Sequence, residues 1–208
     1  SGLSLGGGFE VLLHCDKLIT HANSVLGLVE SGVGVVPGGG GVKTTYQRWL
    51  AASQDPEVAA WETWMQIGYG KTGESPEQAA KLRYFVPGHD ETVMNRDKLI
   101  TRAAAMLADM APCYSPPALL KMTLPGKAIY DKMESFMANG LAKGWFKTHN
   151  KTTAMEIAKI VVNTASDAPL EVTEQDMFDR ERAAFLRLAK TSDTKRWITA
   201  MLLGVAIE

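Results

Sequence analysis

Gly6-Gly7-Gly8-Phe9-Glu10, a second acid at Glu30 and the run Pro37-Gly38-Gly39-Gly40-Gly41 are the residues whose types and spacing could do chemistry. Glycine lets a carbonyl approach the backbone closely, because no side chain obstructs it. If 6–8 is the tight entry to a helix, the Gly7 amide has no intrahelical acceptor and can donate to that carbonyl, with Gly6 and Gly8 giving access. Glu10, one turn further on, faces the same space. Glu30 is framed by Leu26-Gly27-Leu28-Val29 and Ser31-Gly32, an apolar setting that partly desolvates a carboxyl and raises its pKa. Taken singly, either glutamate reads as an ordinary surface residue. Together with the glycines, two acids in unlike surroundings can divide acid and base work at neutral pH. The parts suit polarising a carbonyl and moving protons beside it, which is acyl chemistry.

Phosphate readings of the same glycines fail on spacing. A P-loop needs glycine immediately before its Lys-Thr pair and again five positions earlier, but Val42 and Pro37 stand there ahead of Lys43-Thr44. A dinucleotide fingerprint counted from Gly6 needs a third glycine where Val11 stands.

The elements that must position these residues are written in two styles. Up to Gly41 short apolar runs alternate with glycine: a helix from Gly7 towards Cys15, a strand over Lys17-Leu18-Ile19-Thr20, another at 25–28, then loops. One or two such strands cannot form an independent sheet. Beyond Gly41 the pattern is helical. Asp55-Pro56 and Ser75-Pro76-Glu77 are N-caps with proline at the first helical position, and Val58, Trp61 and Met65 share a face. Leu99, Ala103, Met106, Leu107 and Met110 form a 3.6-period stripe over 95–110, read as core or helix contact. Met133, Phe136 and Met137 mark another helix, 155–162 a further one, and Thr173 with Asp176 opens one through Phe178, Phe185 and Leu188. Trp197, Ile198, Met201 and Leu202 precede Gly204, a C-cap. The proline-rich stretch 111–117 breaks the helical groups.

Composition bounds the function. The 208 residues are 46% hydrophobic and 22% charged, with a net charge of −1. That is ordinary globular composition, without the basic field that draws nucleic acid. No apolar run is long enough to span a membrane. With no secretory segment at the start and only Cys15 and Cys113, a cytoplasmic setting with free thiols is expected, Cys15 being read as a buried structural thiol. His14, His21, His89 and His149 lack metal-ligand spacing, so no metal is assigned.

The stretch 2–10, Cys15-Asp16, 27–34 and 37–41, in that order and spacing over about forty residues, closely resembles the central motif of the enoyl-CoA hydratase/isomerase (crotonase) superfamily. Leu124-Pro125-Gly126 and the run from Val172 to Arg182 look like the hydratase portion of bifunctional proteins in which a 3-hydroxyacyl-CoA dehydrogenase precedes a C-terminal hydratase. The resemblance implies an α/β fold, a crotonase-like ββα spiral. Residues 1–50 would supply the later, catalytic part of its core, the N-terminal strands being missing, and 51–208 a mostly helical region of the same domain. It implies an acyl-CoA thioester substrate and reversible syn hydration of trans-2-enoyl-CoA in fatty-acid β-oxidation. Gly7 would donate its amide to the thioester oxygen, Glu30 would exchange a proton with the reacting carbon, and Glu10 would hold and activate water. Gly6, Gly8, Pro37 and Gly38 would shape the substrate site. Phe9 departs from the small residue or cysteine of many relatives. The second oxyanion amide is expected from upstream strands absent here, so the chain, opening Ser1-Gly2 without methionine, reads as part of a longer polypeptide. No cofactor is expected in this segment, NAD belonging only to the dehydrogenase part. Homo-oligomerisation or docking to that domain is expected. An enoyl-CoA isomerase, or a non-catalytic helical interaction module, are the alternatives.

Overall fold

The computed structural model describes residues 1–206; Ile207 and Glu208, the end of the expected helical region, lie outside the described residues. In chain order the elements are β1 (Leu3–Leu5), α1 (Gly7–Leu13), β2 (Ile19–His21), β3 (Val25–Gly27), a 3-10 turn (Glu30–Val33), α2 (Gly41–Ser53), α3 (Pro56–Gly68), β4 (Thr72–Gly73) and α4 (Pro76–Lys81). They continue as β5 (Glu91–Val93), α5 (Leu99–Met110), β6 (Lys121–Leu124), α6 (Lys127–Ala142), α7 (Thr148–Val161), β7 (Leu170–Thr173), α8 (Glu174–Ala189) and α9 (Ser192–Leu203).

The helices start where the sequence caps them. Asp55 accepts from the amides of Glu57 and Val58 ahead of α3, and Ser75 from that of Gln78 ahead of α4. Thr173 and Asp176 close a reciprocal capping box on α8, where aspartate does the work usual for Glu or Gln. Gly204, left-handed at φ 65°, ends α9.

The strands exceed the one or two expected. Three small sheets lie among the described residues: β1-β3-β4, with β1 parallel and β4 antiparallel to β3; parallel β2-β5; and antiparallel β6-β7. β1 pairs Leu3 with Val25 and Leu5 with Gly27, which sets the helix entry after Leu5 beside the chain leaving β3. One apolar cluster runs from Phe9 through Leu28, Tyr46, Trp64 and Met133 to Leu188, so both halves of the chain share a core. Trp64, 2% exposed, donates its indole N–H to Ala154 O at 2.8 Å and links α3 to α7.

Three expectations are corrected. The α5 stripe is not core: no residue of that helix is buried, and Ile100 and Leu107 are 84% and 67% exposed, because α5 packs chiefly along β2 and its flanking turns and reaches β5 through the exposed Arg102–Glu91 ion pair. On α3, Trp61 and Met65 of the expected face are half-buried and pack against the core, but Val58 is exposed, and the fully buried residues include Ala60, Trp64 and Ile67. Cys15 is an exposed thiol, since α1 ends at Leu13 and the chain turns outward there. Among the described residues no helix is long and apolar enough to cross a membrane.

Candidate functional site

The entry to α1 is made by Gly6, whose φ of 57° and ψ of −135° are costly for a residue with a Cβ. Its amide donates to Gly27 O at 2.9 Å and its carbonyl accepts from Phe9 and Glu10, tying the helix entry to the end of β3. Gly7 opens α1 and is exposed, so its amide has no intrahelical acceptor and faces outward. Gly8 beside it is exposed as well.

Glu30 opens the 3-10 turn after β3, and a Cβ on Gly6 would stand 3.4 Å from its Oε1. Both carboxyl oxygens are buried and have no hydrogen-bond partner among the described residues. Burial pushes this carboxyl up to about 7, the negative charge of Glu10 adds to the rise, and the nearby amides of Glu30 and Val29 offset part of it without reaching hydrogen-bond geometry. Phe9, fully buried, sets its ring edge-on to Tyr84 at 4.8 Å, and the Tyr84 hydroxyl is also buried without a partner.

Glu10, 8% exposed, is turned to the glycine loop: its Oε1 accepts from Gly39 N at 2.8 Å and from Gly41 N at 2.9 Å. Its Oε2 has no donor among the described residues. Pro37 is buried and Gly38 exposed, with Phe185 of α8 against it. Sequence reasoning places Glu10, Glu30, Gly6, Gly7, Gly8, Pro37 and Gly38 around one centre, and the structure gathers the two acids and the helix entry there. One of the two Glu10 oxygens is taken by the loop.

Two residues of the surroundings escaped the sequence reading. His14 Nε2 lies 2.8 Å from Gly39 O. Glu181, 0% exposed on α8, accepts from Gly40 N at 2.9 Å (Oε2) and from Lys43 N at 2.5 Å (Oε1). Burial pushes Glu181 up to about 8 against the pull of those two amides, and the charge of Glu10 adds to the rise. The signal available was the spacing of Glu174 and Glu181, two helical turns apart on one face of α8. Glu174 takes the Lys43 ammonium at 2.7 Å. Among the described residues no group of three or more His, Cys, Asp or Glu side chains converges to hold a metal. A cavity of about 420 Å³ lies against the Glu30–Val33 turn, lined by Val29, Ser31, Gly32, Trp64, Phe136 and Phe146; neither acid nor Gly7 lines it.

No family model matches the chain. It is 45% identical over 203 residues to a putative fatty acid oxidation complex trifunctional enzyme of Rickettsia felis, covering 97% of this chain and 25% of that protein. It is 29% identical over 203 residues to a probable 3-hydroxyacyl-CoA dehydrogenase of Bacillus subtilis, covering 97% and 26%. A probable mitochondrial enoyl-CoA hydratase 2 of Arabidopsis thaliana is 48% identical over 140 residues, or 67% of this chain and 40% of that one. The chain thus spans between a quarter and two fifths of these relatives. Among solved structures, a carnitinyl-CoA hydratase from Mycobacterium avium superposes with a TM-score of 0.55 at 19% identity, over 98% of this chain and 58% of that one. An enoyl-CoA hydratase from Bacillus halodurans gives 0.51 at 20% identity, over 96% and 57%.

Proposed function

We propose that this chain, which has the crotonase fold and is a partial crotonase domain by that likeness, carries the acid-base wall of an enoyl-CoA hydratase centre. The substrate is a trans-2-enoyl thioester of coenzyme A and the product the 3-hydroxyacyl thioester, as in fatty-acid β-oxidation. The observation that carries this reading is Glu30, a buried carboxyl without partners, held near 7 beside a second acid that keeps one oxygen free.

A group with that pKa is half protonated at neutral pH, which suits proton transfer in either direction. In hydration, the water held at Glu10 Oε2 attacks the β-carbon and gives a proton to that carboxylate. The π electrons move onto the α-carbon and thioester oxygen, and Glu30 delivers its proton to the α-carbon. The Gly7 amide donates to the thioester oxygen while charge collects there; losing one such donor typically costs about 100- to 1000-fold in rate. Gly6 and Gly8 leave room for the thioester, and Pro37 and Gly38 bound the site. Both acids on one side of the substrate give syn addition. An isomerase can shuttle its proton with a single carboxylate, and the free Oε2 of Glu10 favours hydration over it.

We further infer, from the relatives that carry the names dehydrogenase and trifunctional enzyme, that the centre works in a polypeptide that also oxidises the 3-hydroxy product, with NAD bound by that other part. The test is Glu30→Gln in the intact protein, followed by the loss of the conjugated enoyl thioester. Hydration should fall by about 100- to 10,000-fold with thioester binding retained, and near-normal turnover removes Glu30 from the mechanism.

A further inference from the structure

The 38–41 loop is held from two sides by glutamate carboxyl groups that divide its amides between them. From α1, Glu10 takes Gly39 and Gly41; from α8, Glu181 takes Gly40 and then Lys43 in the first turn of α2. His14 against the Gly39 carbonyl adds a third point of attachment. Glu181 is fully buried, the Lys43 ammonium is paired with Glu174, and the hydrogen-bond partners of Glu181 are backbone amides. These are orphan donors at the opening of a helix, which need acceptors. Without Glu181, the Gly40 and Lys43 amides lose the side-chain acceptors they have among the described residues, and the loop that also holds Glu10 Oε1 is fixed from one side only.

We propose that Glu181 is a positioning residue for the proposed centre: by taking the Gly40 and Lys43 amides, it leaves Glu10 bound to the loop through Oε1 alone and its Oε2 aimed at the reacting water. Glu181 touches no reacting atom and acts through the loop. The kinetic part of this proposal rests on the hydratase reading above.

The test compares two variants of the intact protein. Glu181→Ala removes both acceptors, while Glu181→Gln keeps the bulk and one of them. A small misplacement of a reacting group by a distant change can cost about 100-fold; kcat for hydration of a trans-2-enoyl-CoA should fall by about that factor in Glu181→Ala and by about tenfold in Glu181→Gln. KM should stay within about twofold, since the residue does not bind substrate. Hydrogen-deuterium exchange across 39–43 should accelerate in both variants. Turnover within twofold of the parent in both, or a loss carried by KM alone, overturns the proposal. Should Glu181→Ala not fold, Glu181→Gln decides. If the parent protein hydrates no enoyl thioester, the hydratase reading fails separately and exchange in Glu181→Gln decides the loop: unchanged protection overturns the role, faster exchange sustains it.

Discussion

Glu30 sits in a state that the fold itself disfavours. Its proton is bound more tightly in the folded chain, at about 7, than at the ordinary 4.5. Between those values the folded state holds more protons than the unfolded one, so stability falls as pH rises across the window. Glu30→Gln should therefore be more stable than the parent at pH 8 by on the order of 1–3 kcal/mol, with the gain gone by pH 4; denaturant unfolding at both pH values reads it. An equal gain at both would mean that burial of the charge is not the cause. On the proposed hydratase reading the same proton would set the rate: kcat/KM for hydration should decline above an apparent pKa near 7, the acid form of Glu30 being the donor. A profile flat from pH 6 to 9 would exclude it. Both acids were legible because they stand at fixed distances from glycines within a short stretch. Glu181 was not, because the amides it serves lie 141 and 138 positions away, and its spacing from Glu174 marks a shared face without marking burial.

At the scale of the element, space and backbone angle decide what each glycine is for. Gly40 has φ 97°, and a Cβ there would stand 2.5 Å from His14 and 2.8 Å from Phe178. Gly40→Ala should cost about 2 kcal/mol or more and disorder the loop. Gly68 ends α3 with nothing near its missing Cβ, and Gly68→Ala should stabilise by about 0.5–1 kcal/mol. Thermal unfolding of the two separates them by sign. Helix starts were readable because a cap is a local chemical device, as at Asp55-Pro56, Ser75-Pro76 and Thr173 with Asp176. Strands of two to four residues carry too little periodicity to read, and β2 finds its partner β5 some seventy positions on. The α5 stripe shows the converse: period marks a face, but whether that face is covered depends on packing that period does not encode.

For the whole molecule, the continuous core makes the site dependent on residues far from it. Trp64 joins α3 to α7 within the cluster that also holds Phe9 and Leu28. Trp64→Ala should cost about 3–5 kcal/mol and lower activity and fold together, measured as coincident loss of turnover and secondary structure on heating. The clamp on the glycine loop has a consequence in time. Its two halves are α1 and α8, so the geometry around Glu10 is completed only after α8 has been synthesised and has docked. At the usual pace of translation that is on the order of ten seconds after the loop itself leaves the ribosome. Contacts so distant along the chain form late, and a nascent chain that already carries both acids has yet to gain the second half of the clamp that fixes the loop around Glu10.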